Sequence, residues 1–264
     1  MIIPYLARPY VNIYVPNTNS VPIWLSDNVQ LFVKRLFMKQ VVPQPIYVSE
    51  TIDYMKVTKI PQISLMGMSN CGKSSLINSL IHNVPLEHPL QKHMSNAKML
   101  NMPTYAPVSD KPGRTRHLFT FNLDNSLSIV DLPGYGFAKG QFKTLNTWNK
   151  LIEKYLSRAT NLKRILSLVD SRKGITELDI ELWEMLKSYK IPFHVIFTKV
   201  DMLTSVELHN LNGTAIELLR GYSSCVFNYL NCTSSKNMLG ILELKCTIAH
   251  LVHEERCKNN ILNN

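Results

Sequence analysis

Residues 63–74 read Ile63-Ser64-Leu65-Met66-Gly67-Met68-Ser69-Asn70-Cys71-Gly72-Lys73-Ser74, and the reading of the whole chain turns on them. A short apolar run enters a full GxxxxGK[ST] pattern, and an apolar period at Leu76, Ile77 and Leu80 follows it. Strand, glycine turn and helix in that order form a phosphate cradle. Glycines let backbone amides turn inward on phosphate oxygens, and the helix adds its positive N-terminal end. Lys73 is placed to neutralise β- and γ-phosphates, and the Ser74 hydroxyl to ligate Mg²⁺. The candidate contacts here are Gly67, Met68, Ser69, Asn70, Cys71, Gly72, Lys73, Ser74 and Ser75. The competing reading is a chance glycine turn, which the flanking strand and helix patterns disfavour.

Outward from this stretch, short apolar runs alternate with helical periods. Ile63–Met66, Leu118–Phe121, Leu127–Val130, Ile165–Val169, Phe193–Phe197 and Val226–Leu230 read as strands. Over 177–190, Leu178, Leu182, Met185, Leu186 and Tyr189 mark one helical face, with Thr176 placed to cap it. This alternation predicts an α/β fold with a mostly parallel sheet and helices on both faces. Residues 82–109 hold four prolines and no clear period, and read as a long loop.

A phosphate cradle does not choose its base; Thr198-Lys199-Val200-Asp201, directly after the strand Phe193–Phe197, does. A carboxylate there accepts two hydrogen bonds from guanine N1–H and N2–H₂, a donor pair adenine lacks. Each charge-assisted bond is worth roughly 1.5–3 kcal/mol. Lys199 is expected to pack along the base and brace the loop. Asp131-Leu132-Pro133-Gly134 ends another strand, with Asp131 placed to hold Mg²⁺ through water and the Gly134 amide to sense the γ-phosphate. Pro112-Gly113-Arg114-Thr115 offers Gly113, Arg114 and Thr115, with Thr115 closing over Mg²⁺ and the γ-phosphate, one of several hydroxyls in that segment. Thr233-Ser234-Ser235 follows the last strand and suits a backbone cap on guanine O6. The metal set is therefore Ser74, Thr115 and Asp131. A P-loop kinase would have no use for the TKxD pattern.

The chain has 264 residues, 45% of them hydrophobic, which is ample for a buried core. No apolar run approaches the roughly 20 residues a spanning helix needs, so stable membrane insertion is not expected. Five scattered cysteines form no CxxC pair and read as reduced thiols. The net charge of +10 favours a polyanionic partner, or simply a solvated surface. Residues 1–49 carry one acid, Asp27, against Arg8, Lys34, Arg35 and Lys39, and are broken by six prolines. Two readings stand side by side there: an organelle-targeting segment, or an extension packed on the domain with a helix near 28–40. Residues 50–252 form the main domain and 253–264 a tail.

The set of motifs resembles the EngB/YihA ribosome-assembly GTPases. The match is carried by Pro61-Gln62-Ile63, Gly67-x-Ser69-Asn70-x-Gly72-Lys73-Ser74-Ser75-Leu76-Ile77-Asn78 and Lys111-Pro112-Gly113-Arg114-Thr115. It continues through Asp131-Leu132-Pro133-Gly134-Tyr135-Gly136-Phe137-Ala138-Lys139, Leu168-Val169-Asp170, Thr176-Glu177-Leu178-Asp179, Thr198-Lys199-Val200-Asp201 and Ser234-Ser235. It departs at Met68 and Cys71, where that family usually has Arg and Val, and at Arg116 and His117. The resemblance implies a Ras-like P-loop GTPase domain with a six-stranded sheet, binding GTP and GDP with Mg²⁺. It also implies a role in large ribosomal subunit assembly or translation, with ribosomal RNA or a subunit precursor as partner and a monomer off the ribosome. The aromatic and basic run Tyr135–Lys143 is a candidate RNA contact, and equally readable as the switch loop entering a helix. The N-terminal segment directs the expectation to a mitochondrial location, with the cytoplasm as alternative.

Tyr135 stands where Ras-type enzymes place a water-orienting Gln, so hydrolysis by the chain alone is expected to be slow. Lys73, Asn70 and Thr115 are the candidate catalytic residues. In related GTPases of the GxxNxGKS form this Asn helps hold K⁺ against the phosphates; the alternative is that Asn70 only braces the loop. Two functions compete: a slow GTPase timer, and a non-hydrolysing GTP-dependent docking module for RNA or protein.

Overall fold

In the computed structural model, which describes residues 8–16, 20–37, 47–49, 59–83, 85, 118–123, 126–135 and 142–262, the run before the glycine turn lies at the centre of one sheet. The strands are β1 (Tyr10–Asn12), β2 (Tyr47–Ser49), β3 (Gln62–Gly67), β4 (Leu118–Leu123), β5 (Leu127–Asp131), β6 (Leu162–Asp170), β7 (Phe193–Thr198) and β8 (Tyr229–Cys232). The helices are α1 (Asp27–Phe37), α2 (Lys73–His82), α3 (Phe142–Arg158), α4 (Glu177–Ser188), α5 (Ser205–Leu219) and α6 (Ile241–Leu262). Spatial order is β1-β8-β7-β6-β3-β5-β4-β2, parallel from β8 to β5 and antiparallel at β5–β4 and at both outer pairs.

The expected six strands are the inner six. Among the described residues the sheet has eight strands, because β1 and β2, three residues each, add one short antiparallel strand to each edge. Three residues are too few to show a period of two. β8 also sits later than the apolar run suggests: Val226 makes only an isolated bridge to Phe193, and regular pairing starts at Tyr229.

Side-chain alternation on the strands splits the core. Ile63, Leu65, Leu166, Leu168 and Ile196 face one side, under α1, α2 and α6. Met66, Val130, Ile165, Val169, Phe193, Val195 and Phe197 face the other, under α3, α4 and α5, where Trp183 stacks on Phe193. Burial on both faces explains why these strands read as continuous apolar runs. Every parallel strand ends toward one rim, where the loops after β3, β5, β6, β7 and β8 converge, the usual place for a ligand in such a sheet. Helix α1 packs against α6, and β1 against β8, so residues 10–12 and 27–37 are built into the domain. Helix α6 runs through residues that the sequence reading leaves to a tail. No helix among the described residues is long and apolar enough to cross a membrane.

Behind the rim, α6 buries Lys245. Its Nζ donates to Asn83 Oδ1 at 3.0 Å, beside the left-handed end of α2, and lies 5.5 Å from the Phe37 ring centre. Burial lowers this ammonium from its usual 10.5 to about 8. Between those values the unfolded chain holds a proton that the folded chain has lost, so this group's contribution to stability rises with pH. Lys245→Met lacks that rise. Urea unfolding should show the parent gaining on the variant, by up to about 3 kcal/mol, from below pH 8 to above pH 10.5.

Candidate nucleotide site

The glycine turn is built as its composition requires. Gly72 adopts φ 103°, a left-handed conformation open to glycine, and Asn70 sits at φ 62°. From the next position α2 begins with Lys73, whose Nζ donates to the carbonyls of Gly67 and Met68 at 3.1 and 3.2 Å. The lysine thus lies across the mouth of its own loop. Cys71 is buried behind the turn and Met68 packs against the core, so neither departure from the family wording faces the phosphate side.

Asp131 closes the other side. Its Oδ2 accepts from Ser74 Oγ at 3.2 Å, while Oδ1 is buried with no hydrogen-bond partner among the described residues. Burial raises this carboxyl to about 6, against the opposing pull of Lys73 and of the Ser74 bond. An orphaned carboxylate oxygen beside a serine hydroxyl, with only hard oxygen donors, fits a Mg²⁺ ion that completes its shell with waters and phosphate. Among the described residues no cluster of three His, Cys, Asp or Glu offers a metal an all-protein site. Gly134 leaves no room: a Cβ there would come within 2.6 Å of Lys73 Nζ and 2.8 Å of Ser69 Oγ. Gly113, Arg114 and Thr115 lie outside the described residues, as do 136–141 and most of the 82–109 segment.

The base end is locked to the phosphate end. Thr198 Oγ1 donates to Cys71 O at 2.6 Å. Lys199, at φ 58°, donates from Nζ to Asn70 O and to Asp170 Oδ2, the latter at 2.8 Å. Asp201 is exposed at the rim, free of the core, where a ring edge can reach it. Of the following segment, the Thr233 amide is spent on Phe197 O (2.7 Å) and the Ser234 amide on Leu239 O (3.0 Å), so neither is offered to a guanine O6.

Two site residues went unassigned in the sequence. Asp170, buried at the end of β6, accepts from Arg172 Nε and Nη2 at 2.9 and 2.6 Å as well as from Lys199. Burial works to raise this carboxyl; the bonds from Arg172 and Lys199 outweigh it and hold Asp170 below the usual range. Arg172 is raised by its bond to Asp170 and also feels the charge of Asp201. A charged pair two residues apart after an apolar strand was the available signal. Tyr135 also has a definite place: its ring is buried in the α3–α4 core and its hydroxyl donates to Asp179 Oδ1 at 2.6 Å, away from the phosphate side.

A cradle, an Asp–Ser pair, a DxxG turn and a TKxD loop on one rim of this sheet define a P-loop GTPase. The model of the 50S ribosome-binding GTPase family matches residues 62–199. The probable GTP-binding protein EngB of Rickettsia bellii (strain OSU 85-389) is 39% identical over 197 residues, 75% of this chain and 82% of that protein. That of Rickettsia prowazekii (strain Madrid E) is 36% identical over 238 residues, 88% and 97% of the two chains. The fold is also that of Era, solved in complex with MgGDPNP and nucleotides 1506–1542 of 16S ribosomal RNA, at a TM-score of 0.51 and 21% identity, covering 74% of this chain and 57% of that one. The chain belongs to the 50S ribosome-binding GTPase family and is an EngB-type GTP-binding protein.

Two outcomes test this geometry. Asp201→Asn should lower GTP affinity by at least about a hundredfold, since the charge that strengthens both bonds is lost, and titration with fluorescent nucleotides measures it. Below pH of about 6 the Asp131 carboxyl takes up a proton that Mg·GTP must expel. The parent should then lose up to about tenfold in affinity per further pH unit relative to Asp131→Asn, which has no such proton to lose.

Proposed function

We propose that this chain is a slow, Mg²⁺-dependent GTPase switch that serves large ribosomal subunit assembly in mitochondria. The observation that carries the reading is the Lys73–Asp131–Ser74 arrangement with its orphaned carboxylate oxygen. The same apparatus would serve tight GTP binding in a docking module, so hydrolysis itself is what separates the two readings. Bound Mg²⁺ would supply charge neutralisation at the β- and γ-phosphates, held by Ser74 and, through water, Asp131, with Thr115 as the candidate third group.

The chain's own residues do the rest. Lys73 leaves the carbonyls of Gly67 and Met68 for phosphate oxygens, exchanging neutral acceptors for charged ones. The Gly134 amide faces the terminal phosphate. No side chain directly after the DxxG turn can orient the attacking water, because the Tyr135 hydroxyl is bound to Asp179. Slow intrinsic turnover follows, with the partner particle completing the site. Asn70, exposed at the mouth of the loop, is the candidate K⁺ contact.

The net charge of +10 supports a polyanionic partner, and the family supports a ribosomal one. The acid-poor N-terminus supports mitochondrial import. Because β1 and α1 are packed into the folded domain, Lys34 and Arg35 belong to that domain, and on this reading a targeting signal has to lie ahead of β1.

Single-turnover hydrolysis tests the proposal with and without large-subunit particles from a mitochondrial fraction, in K⁺ and in Na⁺ at equal ionic strength. Particles should accelerate the reaction, and K⁺ should exceed Na⁺. Tight GTP binding with no hydrolysis under any of these conditions would leave the docking module as the answer. Equal rates in the two salts remove only the K⁺ role.

A further inference from the structure

Gly134 is the residue whose amide must stand at a fixed distance from the terminal phosphate, yet nothing in its own side chain can hold it there. Its neighbour does. The Tyr135 amide donates to Gly67 O at 3.3 Å, and the Tyr135 carbonyl accepts from the Ser69 amide at 2.9 Å, so the backbone is stitched along the outer edge of the phosphate loop. The Tyr135 side chain supplies a third fixing point by donating to Asp179 Oδ1 at 2.6 Å.

That acceptor is itself immobilised. Asp179 is 1% exposed, and its Oδ2 accepts from Thr176 N and Thr176 Oγ1 at 2.9 and 2.7 Å, across the first turn of α4. Thr176 Oγ1 also reaches Met68 Sδ at 3.5 Å, back on the phosphate loop. The result is a closed ring of contacts: phosphate loop, DxxG turn, phenol, carboxylate, helix start, phosphate loop. Burial and the Asp179 charge both raise the phenol well above its usual value, which keeps its proton in place as donor.

We propose that Tyr135 and Asp179 are positioning residues for the Gly134 amide: their buried bond fixes the DxxG turn on the phosphate loop, so discrimination of GTP from GDP depends on it. All the contacts in the ring are within the protein, so they hold the turn without help from a ligand. Neither side chain touches the nucleotide, and GDP, which has no terminal phosphate for Gly134 to meet, is indifferent to the bond.

The proposal rests on the guanine-nucleotide site described above, and its test separates the two. Equilibrium binding of fluorescent GDP and of a non-hydrolysable GTP analogue is measured on the full chain, on Tyr135→Phe, and on the double variant Tyr135→Phe/Asp179→Asn. The double variant removes the buried charge along with its donor and serves where the single variant unfolds. GTP-analogue affinity should fall about tenfold, the scale of one charge-assisted bond, while GDP affinity stays within about twofold. A purely structural bond would lower the melting temperature and shift both nucleotides together. An unchanged GTP-to-GDP affinity ratio in the folded variants overturns the proposal. Failure of the parent chain to bind either guanine nucleotide would instead overturn the reading of the site.

Discussion

The ammonium of Lys199 lies between the Asn70 carbonyl and the Asp170 carboxylate, and the rest of the site depends on that placement. Its two acceptors come from different loops: one cradles phosphate, the other closes the strand next to the base. With the Thr198 Oγ1 bond to Cys71 O, this shared cation ties together the loops that read the two halves of a nucleotide. The arrangement carries backbone strain, since Lys199 and Asn70 both occupy left-handed conformations, each costing a non-glycine residue on the order of 1 kcal/mol. A buried carboxylate holding two cations offsets it. Loss of Lys199 would leave Asp170 paired with Arg172 but would remove the cation that this carboxylate shares with the phosphate loop.

The segment from Asp170 to Asp179 extends this logic across the site. Its first residue organises the base end through Lys199 and Arg172. Its last residue organises the phosphate end through Tyr135, with Thr176 between them reaching the phosphate loop. A loop buttressing both ends fixes their separation, and fixed separation is what lets one rigid purine and one triphosphate tail be recognised together.

Much of this was legible in the sequence. Glycines at 67 and 72, the lysine and serine after them, and the TKxD loop are constrained by backbone geometry and charge at fixed spacing, so their pattern survives in one dimension. The six inner strands were legible because burial on both faces makes them uniformly apolar. What stayed hidden is made by pairing in space. β1 and β2 carry no period; they exist because the edges of the sheet have unpaired backbone groups. Asp170 looks like any acid after a strand until Arg172 and Lys199 fold onto it. Tyr135 showed what it could not do, orient a water, but the carboxylate it binds lies 44 positions away. Lys245 was invisible because lysines are seldom buried without an acid.

These placements bear on why such a chain would act as a timer. Glutamine after a DxxG turn keeps its side chain toward the phosphate, where it orients the attacking water. Tyrosine here does the reverse: the side chain is spent on Asp179, and the backbone is pinned to Gly67 and Ser69. The same bond that fixes the sensing amide removes the group that would orient water. A turn built this way favours, on the proposed function, accurate reading of the bound nucleotide over rapid hydrolysis. On the proposed function, the missing contribution to the reaction must arrive with the docked particle. Hydrolysis then reports that docking has occurred, because only the partner completes the chemistry.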